Sequence, residues 1–134
     1  MTLLVPRNGQ GDTLEYFVNR SAPQNLVLRL FTSNITPAET DTAEQYTEPQ
    51  GDEGYSPIEL QGDRWSAPTE GAPSHTKYPE QIFQFDGPLG FVYGYYMTRA
   101  TSGRIAIAER FSNGPYRITK NGDQIQVTPI ISAE

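Results

Sequence analysis

The chain contains no cysteine, one histidine and one tryptophan in 134 residues. Without Cys there are no disulfides, thiolate metal sites or Cys nucleophiles, and a small domain must hold together by its core or its partners. With His75 as the sole histidine, neither a His-based triad nor a multi-His zinc site can be built within one chain. Its setting between Ser74 and Thr76 predicts an exposed loop residue. Lys and Arg number ten against sixteen acids, giving a net charge of −6, and the basic residues are scattered singly. That argues against a nucleic-acid partner, which requires clustered cations. No apolar run approaches the roughly 18 residues of a membrane span. The stretch from Met1 to Arg7 is too short for the apolar core of a secretion signal. No membrane contact and synthesis in the cytoplasm are therefore expected. Without export, the sequons at Asn19-Arg20-Ser21 and Asn34-Ile35-Thr36 read as chance matches.

What is present is β pattern. From Gln81 to Ile131, short alternating runs lie between turn residues: Ile82–Asp86, Gly90–Thr98, Arg104–Phe111, Tyr116–Thr119 and Gln124–Thr128. Strands at this spacing are the mark of a sandwich or barrel. The length fits one domain, residues 1–134, and folding at this size buries about two-thirds of the chain's surface. Eight Tyr, six Phe and one Trp supply large buried areas, while 12 Gly and 11 Pro predict substantial loops. Asn121-Gly122 predicts a tight hairpin between Tyr116–Thr119 and Gln124–Thr128, and Thr101-Ser102-Gly103 joins the preceding pair. Gly94 reads as a bulge or a close backbone approach. Phe91, Tyr93, Tyr95 and Met97 share one strand face, which is read as core.

The first third is less regular. Residues 1–12 read as an N-terminal arm broken at Asn8-Gly9-Gln10-Gly11-Asp12. Thr13 to Arg20 alternates like a strand, with Leu14, Tyr16 and Val18 on one face. Leu26, Leu28 and Leu30 share a face of the next strand and are expected to meet Ile105 and Ile107 in one core. From 33 to 76 the pattern fades into a long acidic, Pro-rich loop holding nine of the sixteen acids, with Arg64 as its one cation. A loop of that length is usually functional or held by a partner. Its anchors should be Tyr46, Tyr55, Ile58, Leu60 and Trp65, with short strands at 58–60 and 63–66. A helical turn over 40–46 would be capped by Thr40 or Asp41.

Reactive constellations are scarce. The acids at 39–53 lie in a polar, Pro-rich setting that suits solvated charge better than a catalytic pair. Asp41, Glu44, Glu48, Asp52 and Glu53 lack the alternating ligands and central Gly of a calcium loop. No enzyme activity, metal or cofactor is expected. Tyr46, Tyr55 and Trp65, with Glu48, Asp52 and Glu53, are the candidate partner-binding residues, since such aromatics dominate interface hot spots. The same aromatics, or the second face of the 91–98 strand, could also stack a sugar, which makes a carbohydrate-binding module the alternative.

Several stretches together resemble a family of small tailed-phage virion proteins, similar to the jelly-roll cement proteins that decorate icosahedral heads. They are Leu30–Pro37, Gly54-Tyr55, Trp65, Gly94–Thr98, Ala108–Phe111 and Asn121–Pro129. The resemblance spans about 26 to 131. It implies an all-β, single-domain β-sandwich of jelly-roll type, and a capsid cement or decoration subunit that bridges copies of the major capsid protein. It further implies a homo-oligomer, dimer or trimer, on the outer capsid surface of the virion; a tail or neck component is the rival within the same class. The loop 33–76 and the arm 1–12 are expected to make the main contacts with the capsid or with sister subunits.

Overall fold

The computed structural model describes residues 4–133, with the side chain of Asp52 outside that description. The chain is mostly β, its strands antiparallel, with one α-helix among the described residues. Helix α1 (Arg7–Phe17) is followed by β1 (Leu26–Phe31) and, after a largely irregular stretch, β2 (Ile58–Leu60). Eight more strands follow: β3 (Ser74–Lys77), β4 (Gln81–Gln84), β5 (Gly90–Val92), β6 (Gly94–Arg99), β7 (Ile105–Arg110), β8 (Tyr116–Ile118), β9 (Gln124–Val127) and β10 (Ile130–Ala133).

Their pairing is nested: β3 with β10, β4 with β9, β5 with β8, and β6 with β7. Single bonds carry the ladders across the gaps. Tyr78 N–H donates to Pro129 O between β3–β10 and β4–β9, and Phe111 N–H donates to Tyr93 O between β5–β8 and β6–β7. Residues 74–133 thus form one long hairpin folded over on itself. Its tip, 100–103, carries Gly103 at φ +73° as the expected turn residue. Strands β2 and β1 then extend the inner hairpin into a four-stranded sheet, β2-β1-β6-β7.

The main core lies between this sheet and the outer ladders. Leu28, Leu30, Leu60, Tyr95, Met97 and Ile107 fill it from the sheet; Phe83, Phe85, Val92, Ile118, Ile125 and Val127 fill it from the other side. Strands β4 and β9 alternate buried and exposed residues as a half-buried strand must. The sheet's other face carries a second cluster of Phe31, Tyr46, Tyr96, Ile105 and Ala108.

Several expectations are corrected. Ile105 and Ile107 do not share a face, because the register shifts between Met97 and Thr98. One extra residue, Ala106, turns Ile105 to the second cluster. Phe91 and Tyr95 are likewise not on one face: the ladder breaks at Tyr93, which leaves Phe91 exposed and Val92 buried. Gly94 is a close approach, since a Cβ there would sit 2.2 Å from Glu109 O. Asn121-Gly122 is not a hairpin turn, because β8 and β9 pair with β5 and β4 rather than with each other. Only Gly122 has positive φ, +94°, and it closes a connection in which Asp123 N–H reaches Lys120 O.

The arm and the strand expected over 1–20 are replaced by α1 beyond the undescribed residues 1–3. This helix has two glycines and no side-chain cap, so local propensity does not explain it. Packing does. Gly9 is buried against the bulge, where an added Cβ would lie 2.2 Å from Ala106 O. Leu4 exchanges two backbone bonds with Ala108, which covers the free edge of β7. His75 is exposed, as expected, but stands on β3.

Candidate functional site

The residues expected to grip a partner are largely committed to holding the acid-rich stretch onto the sheet. Tyr55 is 5% exposed. Its hydroxyl accepts from Leu30 N–H at 3.1 Å and donates to Glu48 Oε2 at 2.5 Å. Glu48 also accepts from the Arg29 guanidinium at 2.9 and 3.1 Å, and Arg29 Nε donates to Thr98 Oγ1 at 3.0 Å. One strand thereby fixes the stretch twice, through its backbone at Leu30 and its side chain at Arg29. Tyr46 is buried as well, stacked on Tyr96 at 4.9 Å and edge-on to Phe31 at 5.0 Å, and its hydroxyl donates to Asp41 Oδ2 at 2.8 Å.

A third phenol–carboxylate pair lies in the main core, where Tyr95 donates to Glu109 Oε2 at 2.5 Å. Burial first, and the carboxylate partner second, push the hydroxyls of Tyr46, Tyr55 and Tyr95 well above the ordinary tyrosine range. Burial also pushes Tyr96 up to about 12, with Glu48 adding to the shift and Arg29 opposing it. All four therefore stay neutral at physiological pH, as donors rather than nucleophiles.

Trp65 is half-buried, edge-on to Tyr78 at 5.1 Å. Tyr78 itself accepts from Gln61 N–H. The expected strand at 63–66 is instead a 3₁₀ turn, Gly62–Arg64. The turn over 40–46 is a 3₁₀ segment, Ala43–Gln45, capped by Thr42 through a capping box with Gln45 rather than by Thr40 or Asp41. Glu53 is exposed at φ +51°, and its carbonyl accepts from Asp86 N–H. Asp52 was the remaining candidate, and its side chain lies outside the described residues. Among the described residues no three of His, Cys, Asp and Glu are grouped to hold a metal ion. No described helix is long and apolar enough to cross a membrane.

Two other surfaces stand open. On β5 and β8, Phe91 is 47% and Tyr116 38% exposed. Phe91 and Tyr93 lie 6.3 Å apart, with Arg117 over Phe91 and Arg110 over Tyr93. At the C-terminal end of α1, Leu14, Phe17 and the capping residue Val18 are exposed. Beside them runs an apolar groove of about 540 Å³ lined by Val5, Leu26, Ala106, Ile107, Ile131 and Arg99, among others. Sequence reasoning missed both. Strict alternation places Phe91 in the core, and the pattern around Leu14 and Val18 is that of a strand. Only the spacing of Leu14, Phe17 and Val18, which fits one helix face, carried a signal.

Comparison with protein families, with curated proteins and with solved structures finds no match.

Proposed function

We propose that the chain is a structural, non-catalytic virion protein: a cement or decoration subunit on the outer surface of a tailed-phage head, bridging copies of the major capsid protein. One observation carries this reading. The aromatic and acidic side chains that anchor the acid-rich stretch are tied up in the Arg29–Glu48–Tyr55 and Tyr46–Asp41 locks, which supports a molecule that presents a fixed surface. The nested pairing adds support. A long hairpin folded over on itself is how a jelly roll is built, and we read the fold as a jelly-roll sandwich with β2-β1-β6-β7 in one layer. The carboxylates left outward on the acid-rich stretch, Glu39, Glu44, Glu53, Glu59, Asp63 and Glu70, would meet basic patches of a shell and steer encounter.

A specific interface needs roughly 1,000 Å² or more, so a subunit of 14.9 kDa touching several shell proteins must use much of its surface. The test is stoichiometry on heads of the phage that encodes the chain, purified without it and then incubated with it. Binding on the order of hundreds of copies per particle supports head decoration, about six or twelve supports the neck or tail, and no binding overturns the reading. A second reading, glycan binding on a host-recognition structure, is favoured by the exposed rings of Phe91 and Tyr116. It predicts a signal on a glycan array that Phe91→Ala abolishes.

A further inference from the structure

Strand β4 leaves one edge of its ladder open. Phe85 N–H donates to Asp123 O across the β4–β9 pair. By the alternation of an antiparallel ladder, Gln81 and Phe83 turn their backbone groups the same way, and Ile82 and Gln84 turn theirs outward. Asp86, next in the outward series, donates its N–H to Glu53 O. The acid-rich stretch takes the pairing no further. Continued from that bond in the antiparallel sense, the register sets Pro57 opposite Ile82, and a proline has no N–H to give. Between residues 54–58 and 82–84 lies a slot of about 210 Å³, with Tyr55, Ile58 and Phe83 among its walls. Among the described residues, the outward backbone groups of Ile82 and Gln84 have no backbone partner.

Exposed edges are normally blunted by a charge, a proline or a covering segment. Here Leu4 covers the edge of β7, while Ser66 and Thr69 cover that of β3. Strand β4, Gln81-Ile82-Phe83-Gln84, carries neither a charge nor a proline. Its outward side chain Ile82 is 48% exposed, apolar where alternation calls for a polar residue. An edge of this kind is a template for one more strand. The slot is smaller than the roughly 300–1,000 Å³ of a small-molecule site, so it suits one anchoring side chain.

Charge narrows the choice of strand. Glu80 precedes β4, Asp86 follows it, and Glu53 stands across from Asp86. All three are exposed, and none is ion-paired among the described residues. The Asp86 carboxylate lies beside Gly54 at the end of the slot, where an added Cβ would sit 2.6 Å from its Oδ2. A second copy of β4 is a poor fit. Antiparallel pairing centred on Phe83 would set the Glu80 of each copy against the Asp86 of the other, and facing like charges are destabilising. We infer that β4 is a docking edge for an extended basic peptide of a partner protein. The peptide pairs with the backbone of Ile82 and Gln84, seats one apolar side chain in the slot, and turns its cations toward Glu80 and Asp86. The inference does not depend on the virion reading.

Titration of the full chain with a fluorescein-labelled octapeptide of alternating lysine and valine tests it. The expected result is one-to-one binding with a dissociation constant on the order of 100 µM. In hydrogen-exchange NMR the amides of Ile82 and Gln84 should slow, while that of Phe83, already bonded to β9, should not change. The same peptide N-methylated at its lysines, which stand opposite Ile82 and Gln84, keeps its charge and loses the pairing N–H groups. It should bind at least about tenfold more weakly. Ile82→Lys, at an exposed position, should weaken binding by a similar factor with an unchanged thermal midpoint. Asp86→Asn should weaken it by a smaller factor and flatten its salt dependence. No binding at roughly twenty times that constant overturns the inference, as does binding indifferent to Ile82→Lys. Equal binding of the N-methylated peptide also overturns it, leaving charge attraction alone. Slowed exchange at Ile82 and Gln84 on concentrating the protein without peptide overturns it too, and hands the edge to a second copy.

Discussion

The folded ribbon of residues 74–133 and the acid-rich stretch of 32–73 are held in place by different physics. In the ribbon every strand finds its partner within the ribbon, and alternate side chains enter one core. In the stretch the backbone has one short strand, β2, and position is fixed at separate points: Thr32 N–H to Thr47 O, Glu48 to Arg29, Tyr55 to Leu30, Glu53 O to Asp86 N–H. Apolar burial spread over many residues gives the ribbon its stability, because it scales with area. A few directional bonds, the Arg29–Glu48 pair the strongest of them, and the buried rings of Tyr46 and Tyr55 give the stretch its placement. The two regions should therefore fail differently.

The largest effect is expected in the ribbon. Ile107→Ala removes a buried side chain from the main core and should lower unfolding free energy by about 2–5 kcal/mol, read as a shift of the denaturant midpoint. The loss should be global, with amide exchange accelerating in β4 and β9 as well as in β7. A loss confined to α1 would mean that Ile107 serves the helix rather than the core.

Next comes the lock on the stretch. Tyr55→Phe keeps the ring stacked near Phe83, 5.8 Å away, but strands Leu30 N–H and frees one Glu48 oxygen. Roughly 1–3 kcal/mol should be lost, with exchange rising across 41–56 while β4–β9 stays protected. An equal rise in both regions would erase the distinction. Alkali probes the same contrast. The phenols of Tyr46, Tyr55, Tyr95 and Tyr96 are raised in the fold, Tyr96 to about 12, against 10.0 unperturbed. Their contribution is full below pH 10 and declines as the pH climbs from there toward 12, because the unfolded chain ionises first. Tyr55→Phe should make that decline shallower in a pH series of thermal melts.

The same contrast explains how much could be read in advance. Alternation in Gln124-Ile125-Gln126-Val127 and the turn at Gly103 were legible, since both are local signals. Pairing was not. Tyr116–Ile118 and Gln124–Val127 look like a hairpin in sequence, but each is claimed by a strand over twenty residues away. The bulge at Ala106 left no mark, because an inserted residue preserves composition while inverting the face of Ile105. Helix α1 was hidden for a related reason: Gly9 reads as a breaker and is required by contact with Ala106 O. Tyr46 and Tyr55 are buried anchors and Trp65 packs on Tyr78, as large aromatics in a polar stretch predict. Residue type alone does not encode which way they face, and the fold turns Tyr46 and Tyr55 inward.

A smaller effect is expected at the connection between β8 and β9. Gly122 sits at φ +94° with open space where a Cβ would go, so Gly122→Val tests backbone strain alone. A loss of about 1–2 kcal/mol is expected. An unchanged midpoint would show that the connection relaxes freely and that the ribbon's register is set by its strands.

The smallest effect belongs to Asp123 in the same connection. Its carboxylate accepts from Thr119 N–H at 2.9 Å, Lys120 N–H at 3.2 Å and the Thr119 hydroxyl at 3.3 Å. The Thr119 amide above all, joined by the Lys120 amide and the Thr119 hydroxyl, holds its pKa below the ordinary aspartate value. A carboxylate depressed in the fold adds stability above its unfolded pKa and loses it as the pH falls through the folded one. Asp123→Asn should therefore lower the thermal midpoint slightly at neutral pH, and the gap from the unsubstituted chain should close on acidification. Glu44 in the acid-rich stretch is depressed too, chiefly by the Thr42 hydroxyl, and offers the matching measurement. Carboxyl carbon shifts followed by NMR should titrate low at both positions. If Asp123 titrated at the ordinary value, the connection would be loose in solution, and the ribbon would be two hairpins joined by a tether rather than one folded strip.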